Sequence, residues 1–257
     1  MKKLFIMFVL ILSILNGNIE NAKKAYYAKN FKKALPMFEK LSKEGNVESN
    51  YYLGTMYAFA YGAKQNYSRA FKYYTISANN PNKKRLKSIF NVGYMYMQGK
   101  GVKINYKKAF KIFKTLELED MGMAQLMIGI MYTNGYGVEE NQTKAVSYYL
   151  KGCDSKKANS IACYYAGDHY ERGIGVEESY SFAKTYYKKG CELGSHEACE
   201  ALKNMKEPLS FYQKYVNFIR TPEYHIFMII LLAVGLWRLW RKKKREGLLN
   251  EKQNTPK

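Results

Sequence analysis

Ser181-Phe182-Ala183-Lys184 spells S-x-x-K. On a helix this spacing puts a serine hydroxyl and a lysine amine on one face, where the amine can take the proton of an attacking hydroxyl in an acyl transfer. The companion motifs of such sites, S-D-N and K-T-G, do not occur in the chain. Asp168 and His169 are a second acid–base combination. Neighbours on a helix point about 100° apart, so they make no simple dyad. Cys191, His196 and Cys199 offer three ligands to zinc. Their spacing matches no standard zinc site, and Cys153 and Cys163 have no histidine beside them, so neither a metal nor a cofactor is expected. The recurring Gly-x-Gly pairs read as turns rather than as phosphate-cradling loops, because they keep a fixed register.

That register is the strongest signal in the chain and decides what positions these residues. Gly54, Gly93, Gly129 and Gly167 lie 39, 36 and 38 residues apart. Three residues after each comes Tyr57, Tyr96, Tyr132 or Tyr170. Eight after comes Gly62, Gly101, Gly137 or Gly175, and sixteen after comes Ala70, Ala109, Ala145 or Ala183. Such periodicity marks stacked helical hairpins. Each unit reads as helix A, a glycine turn, helix B and a loop. In the third unit, residues 124–132 form helix A, Gly135 to Val138 stop it, and residues 141–150 form helix B. Gly129 and Ala145 are small where the helices should cross, so their backbones can approach. Tyr132 and Tyr149 fill space between neighbouring units, and most of the 25 tyrosines serve such packing. S-x-x-K then overlaps Ala183, a packing position, and Glu139-Glu140 and Glu177-Glu178 read as charges favouring the start of helix B.

Length differences between units fall between helix B and the next helix A, at residues 79–84 and 154–160. Upstream, Ala34 lies 20 residues before Gly54, which makes residues 30–44 a helix B and 20–29 a shortened helix A. Downstream, residues 195–202 begin a helix A with Lys203 where the unit glycine should be, the mark of a terminal cap. All four cysteines share this register. Cys153 and Cys191 each lie eight residues after the helix-B alanine. Cys163 and Cys199 each lie four before the unit position. Matched positions on adjacent antiparallel helices predict disulfides Cys153–Cys163 and Cys191–Cys199. Disulfides imply an oxidising compartment.

Leu-Gly or Ile-Gly, two residues, Tyr, then Gly-x-Gly-Val, Lys-Ala and Tyr-Tyr resembles Sel1-like repeats, relatives of the tetratricopeptide repeats. The clearest copies run from Gly93 to Phe113, Gly129 to Tyr149 and Gly167 to Tyr187. Unit one departs, with Ala60, Gly62 and Ala63 in place of Gly, Gly and Val. The resemblance implies an all-α fold, a right-handed superhelical solenoid of helix-turn-helix repeats. The cysteine placement resembles the Helicobacter cysteine-rich branch, which implies a disulfide-stapled solenoid outside the cytoplasm. From that branch comes the alternative activity, penicillin binding or weak β-lactam hydrolysis, for which Ser181 and Lys184 are the catalytic candidates. The chain departs in having two cysteine pairs, both in its C-terminal half.

The ends carry separate signals. Lys2-Lys3 precedes an apolar run from Leu4 to Leu15, so residues 1–17 read as a signal peptide or signal-anchor. Residues 20–46 form the N-terminal capping repeat, 47–207 the solenoid with its capping helix, and 208–223 a connector. Residues 224–240 read as a transmembrane helix of about 25 Å with Tyr224, Trp237 and Trp240 at its interfaces. His225 lies at that boundary. Residues 241–257 are a basic tail that the positive-inside rule keeps cytoplasmic. This gives a single-pass inner-membrane protein with its repeats in the periplasm or outside. The net charge of +21 suggests nucleic acid at first. An exported domain does not meet nucleic acid, and the densest basic run is a topology signal, so no nucleic-acid partner is expected. The expected partners are a protein or peptide, or a peptidoglycan fragment, bound on the concave face by helix-A residues. Tyr94, Gln98, Asp168, His169 and Arg172 are the candidates.

Overall fold

The computed structural model describes residues 18–206, 216–232, 234, 237, 238 and 241. The expected signal at 1–17 and most of the basic tail lie outside them. The described residues form two units, one ending at Met205 and one beginning at Lys206.

The first unit is a run of helices. Residues 18–27 form α1. Then come α2 (Phe31–Lys43), α3 (Val47–Ala58), α4 (Tyr67–Asn79), α5 (Arg85–Gln98), α6 (Tyr106–Thr115), α7 (Gly122–Asn134), α8 (Gln142–Asp154), α9 (Ser160–Arg172), α10 (Tyr180–Glu192) and α11 (His196–Asn204). A 3₁₀ turn, Glu117–Glu119, links α6 to α7. Among the described residues the one β contact is an isolated bridge between Met121 and Lys157. The A helices are α1, α3, α5, α7, α9 and α11; the B helices are α2, α4, α6, α8 and α10. Each packs on its neighbours in sequence, and A helices also pack on A helices: α3 on α5, α7 on α9, α9 on α11. The B helices lie on the other side of this inner layer.

The unit glycines take an aromatic ring. A Cβ on Gly129 would sit 2.5 Å from Cε1 of Tyr149, one on Gly167 2.5 Å from Cδ1 of Tyr187, one on Gly54 2.7 Å from Tyr74, and one on Gly93 2.9 Å from Phe113. Each ring comes from helix B of the same unit, 20 residues on. The glycines therefore serve ring insertion more than the backbone approach expected from their size. The register alanines Ala70, Ala109, Ala145 and Ala183 are fully buried, as expected at the crossing.

Each B helix starts on a cap that also ties it to helix A. Asn66, Asn105 and Asn141 accept from the amides of Arg69, Lys108 and Lys144 at 2.8–2.9 Å. Ser179 takes this place in unit four. The amides of the same four residues donate to the carbonyls of Tyr57, Tyr96, Tyr132 and Tyr170, at 2.8–2.9 Å. Glu139-Glu140 and Glu177-Glu178 precede these caps instead of occupying the first helical turns, where the Asn141 and Ser179 side chains each accept from one amide.

Both disulfides form as expected, Cys153–Cys163 and Cys191–Cys199. They tie α8 to α9 and α10 to α11. In the second unit residues 216–219 and 222–232 are helical. No helix among the described residues is long and apolar enough to cross a membrane. The expected span at 224–240 falls partly on residues outside the described ones.

Candidate functional site

The contact between inner helices is weakest at one place: α5 and α7 approach each other less than α3 and α5, α7 and α9, or α9 and α11 do. The short α6 and the 3₁₀ turn after it carry the chain to α7 by a different route from that in the other units. A cavity of about 360 Å³ opens there. Phe90 and Tyr94, one turn apart on α5 with near-parallel rings, form one wall. Met123 and Met127 of α7 form another, and Phe59 at the end of α3 closes one end. Phe59 is 61 % exposed and Met123 43 % exposed, large apolar surfaces facing solvent. Lys100 lies at the rim, its Nζ 5.5 Å from the Tyr67 ring and 5.7 Å from Tyr94.

A second cavity of about 350 Å³ continues the first and shares Phe90, Asn91 and Met123 with it. The loop after α8 supplies its far wall through Lys157, Ala158 and Asn159, and Lys87 stands at its edge. This loop is held firmly. Lys157 bridges to Met121, Asn159 caps α9 through the Ala162 amide at 2.9 Å, and the Cys153–Cys163 disulfide spans the loop.

Asn91 stands where the cavities join. In the register it occupies the place of Tyr52, Met127 and Tyr165, two residues before the unit glycine. Its carboxamide makes no hydrogen bond to any described residue, while most other asparagines of the repeats are caps or loop anchors. Lys87, Lys100 and Lys157 are the charged residues lining the two cavities, and no carboxylate lines either.

An ionic cluster joins units two and three. Glu117 in the 3₁₀ turn pairs with Lys114 and, at 3.4 Å, with Lys151. It also accepts from the Tyr148 hydroxyl at 3.1 Å. Burial pushes its carboxyl up, but the hydrogen bonds from Lys114 and Tyr148 outweigh this and hold it below the ordinary value.

The residues singled out from the sequence are scattered. Tyr94 lines the groove; Gln98 is exposed at the end of α5 and lines neither cavity. Asp168 pairs with Arg172 at 3.3 Å on α9. His169 was expected on the binding face. It is instead 4 % exposed, with Nδ1 2.9 Å from the Ile174 carbonyl and its ring 5.3 Å from that of Tyr149. It thus fixes the turn after α9 and offers nothing to a ligand. Ser181 and Lys184 are both exposed. The Ser181 hydroxyl lies 3.2 Å from that of the cap Ser179, and the Lys184 amine lies 5.8 Å from the Tyr180 ring. The neighbouring cavity is lined by Tyr170, Val176, Glu177, Glu178, Ser179 and Phe182 and includes neither residue. Cys191 and Cys199, of the zinc alternative, are consumed by their disulfide.

Phe90, Asn91 and Met123 escape a reading by residue type. Asn91 alone has a signal, and it is comparative: only unit two puts a small polar side chain two residues before its glycine.

The comparison with curated proteins gave no match. Among solved structures, a Sel1 repeat protein from Oxalobacter formigenes is 27 % identical, with TM-score 0.64, covering 72 % of this chain and 73 % of that one. A protective antigen present in uropathogenic Escherichia coli strains is 26 % identical, with TM-score 0.63, covering 76 % of this chain. This chain spans 43 % of that protein's length. Helicobacter pylori cysteine rich protein B is 25 % identical with TM-score 0.40, covering 52 % of this chain and 92 % of that one. The family model described as Sel1 repeat matches residues 47–82, 86–115, 122–156 and 160–195, more than half of the sequence. With helical hairpins in the same register and glycine-seated rings in each, the chain belongs to the Sel1 repeat family.

Proposed function

We propose that the chain is an extracytoplasmic, membrane-attached scaffold that binds a partner protein in the groove between α5 and α7. One observation carries this reading: where the inner helices part, large apolar side chains face solvent around cavities of ligand size. The apolar lining favours a peptide segment over a polar cell-wall glycan. No bond is made or broken; recognition rests on shape and charge.

Two disulfides support an oxidising compartment. Membrane attachment is supported by the second unit, where Ile226, Phe227, Ile229, Ile230 and Leu232 are each more than half exposed. Consecutive side chains cover every face of a helix, and a helix apolar all round calls for an apolar surrounding. The basic run from Arg241 to Arg245 supports a cytoplasmic C-terminus.

The test places a photo-reactive phenylalanine analogue at Phe59, at Met123, and at the exposed Lys72 on α4 in intact cells. The groove positions are expected to give a discrete protein adduct that Lys72 does not. Equal adducts at all three positions, or none, would remove the groove from the reading. Intact mass with and without reductant and alkylation tests the compartment; free thiols at all four cysteines would overturn it.

A further inference from the structure

We infer that the groove takes an extended, acidic segment of the partner, with two apolar side chains in the two cavities and its main chain held by Asn91. This deepens the scaffold reading and rests on it. Three independent features converge. Two adjoining apolar cavities, about 360 and 350 Å³, meet along Phe90, Asn91 and Met123. In an extended chain, residues two apart project to the same side, so neighbouring cavities suit side chains i and i+2.

The ridge between the cavities carries the Asn91 carboxamide, which has two N–H donors and an acceptor and no described partner. A peptide unit crossing the ridge offers the complementary carbonyl and amide. An acyl chain would bury the carboxamide without a partner, which is costly. The other units fill this register position with Tyr52, Met127 and Tyr165, so fold alone does not call for asparagine.

The third feature is charge. Lys87 on α5, Lys100 in the turn after it and Lys157 in the loop after α8 line the cavities, and neither cavity has a carboxylate in its lining. The rim repels a basic segment and attracts one with aspartate or glutamate flanking the apolar pair. Lys87 and Lys157 are exposed, and the bridge from Lys157 to Met121 is made by its main chain, which lets the side-chain charge be reversed.

The experiment pans a phage-displayed random dodecapeptide library on the full chain in mild detergent, then measures synthetic versions of the recovered peptides by fluorescence anisotropy. Expected are net-negative peptides with two apolar residues at or near i and i+2. Their affinity should fall at least tenfold in Asn91→Met, which installs the residue unit three carries there and leaves the fold intact. It should fall several-fold between low and high salt. Lys87→Glu with Lys157→Glu should lose the acidic peptides and recover basic ones. Recovered peptides without acidic bias, peptides indifferent to Asn91→Met, peptides displaced by anionic lipid vesicles, or no recovered peptides would each overturn the inference. If a Met123 adduct still forms in cells, the scaffold reading survives that failure; if none forms, both fall together.

Discussion

Gly129→Ala sets two effects of opposite sign against each other. In a helix interior the change alone stabilises by about 1 kcal/mol, because alanine loses less backbone freedom. Here the new methyl would lie 2.5 and 2.6 Å from two atoms of the Tyr149 ring. Carbon atoms rest near 3.5–4 Å, so the ring must retreat by about 1 Å. It has nowhere easy to go. Tyr149 is 1 % exposed, its hydroxyl lies 2.7 Å from Thr133 Oγ1, and its ring stacks on Tyr165 and touches His169 in the next unit. Overpacking of this kind costs about 1–3 kcal/mol, and losing the hydroxyl contact about 1 more. The net expectation is a loss of about 1–3 kcal/mol in urea denaturation followed by far-UV circular dichroism. In a Tyr149→Ala background the obstacle is gone, and Gly129→Ala should turn neutral or stabilising. The double-mutant cycle should therefore give a coupling of about 2–4 kcal/mol, the overpacking and hydroxyl costs together. Gly93→Ala should cost less than Gly129→Ala, because its nearest ring atom is 2.9 Å away and an Ile112 methyl shares the contact. The ring-seat explanation is refuted if Gly129→Ala costs the same with and without the Tyr149 ring.

Four further outcomes follow from particular residues. Ala60 holds φ +59° at the turn position where Gly99, Gly135 and Gly173 hold +68°, +66° and +64°, so Ala60→Gly should stabilise by about 0.5–1 kcal/mol, seen as a rise of about 1–3 °C in melting temperature. Replacing Cys191 and Cys199 by serine should lower stability by roughly 2–3 kcal/mol in denaturation under oxidising conditions, and have no effect once the wild type is reduced. The folded carboxyl of Glu117 is held below its ordinary value, so its contribution is complete above about pH 4.3 and drains away as pH falls through the lowered folded value. Glu117→Gln should accordingly flatten the acid limb of a stability–pH curve while leaving its slope above pH 6 unchanged. Ser181→Ala should leave a chromogenic cephalosporin assay at the level of the unmodified chain; turnover that saturates and disappears in the variant would restore the acyl-transfer reading.

The fold was legible because its signal is periodic. Gly, Tyr, Gly and Ala at fixed offsets give hairpins, and the same offsets give the cysteine pairing. Interlocking was less legible. A glycine says that something is close, but the ring filling the space at Gly129 comes from Tyr149, beyond a turn. The recurrence of an aromatic 20 residues after every unit glycine carries that information. His169 shows the same limit. As a residue type it suggests a surface ligand, yet its register partners Met56, Met95 and Met131 are all buried, and so is it. The groove was visible only indirectly. The 36-residue spacing between Gly93 and Gly129 is the shortest in the chain, and the gap between α5 and α7 opens there. Spacing shows that something is missing; it does not show that Phe59 and Met123 are left facing solvent as a result.

The position of the two disulfides bears on how the chain acquires them. Four cysteines allow three pairings. The chain is made from its N-terminus, so Cys153 and Cys163 emerge together, ten residues apart. Another 27 residues pass before Cys191 appears. Each native partner is the nearest thiol in the chain, ten and eight residues away, while the alternative pairings join cysteines 28 or more residues apart. Loop-closure entropy therefore favours the native connectivity, and oxidation of this chain should need an electron acceptor and little reshuffling of pairs.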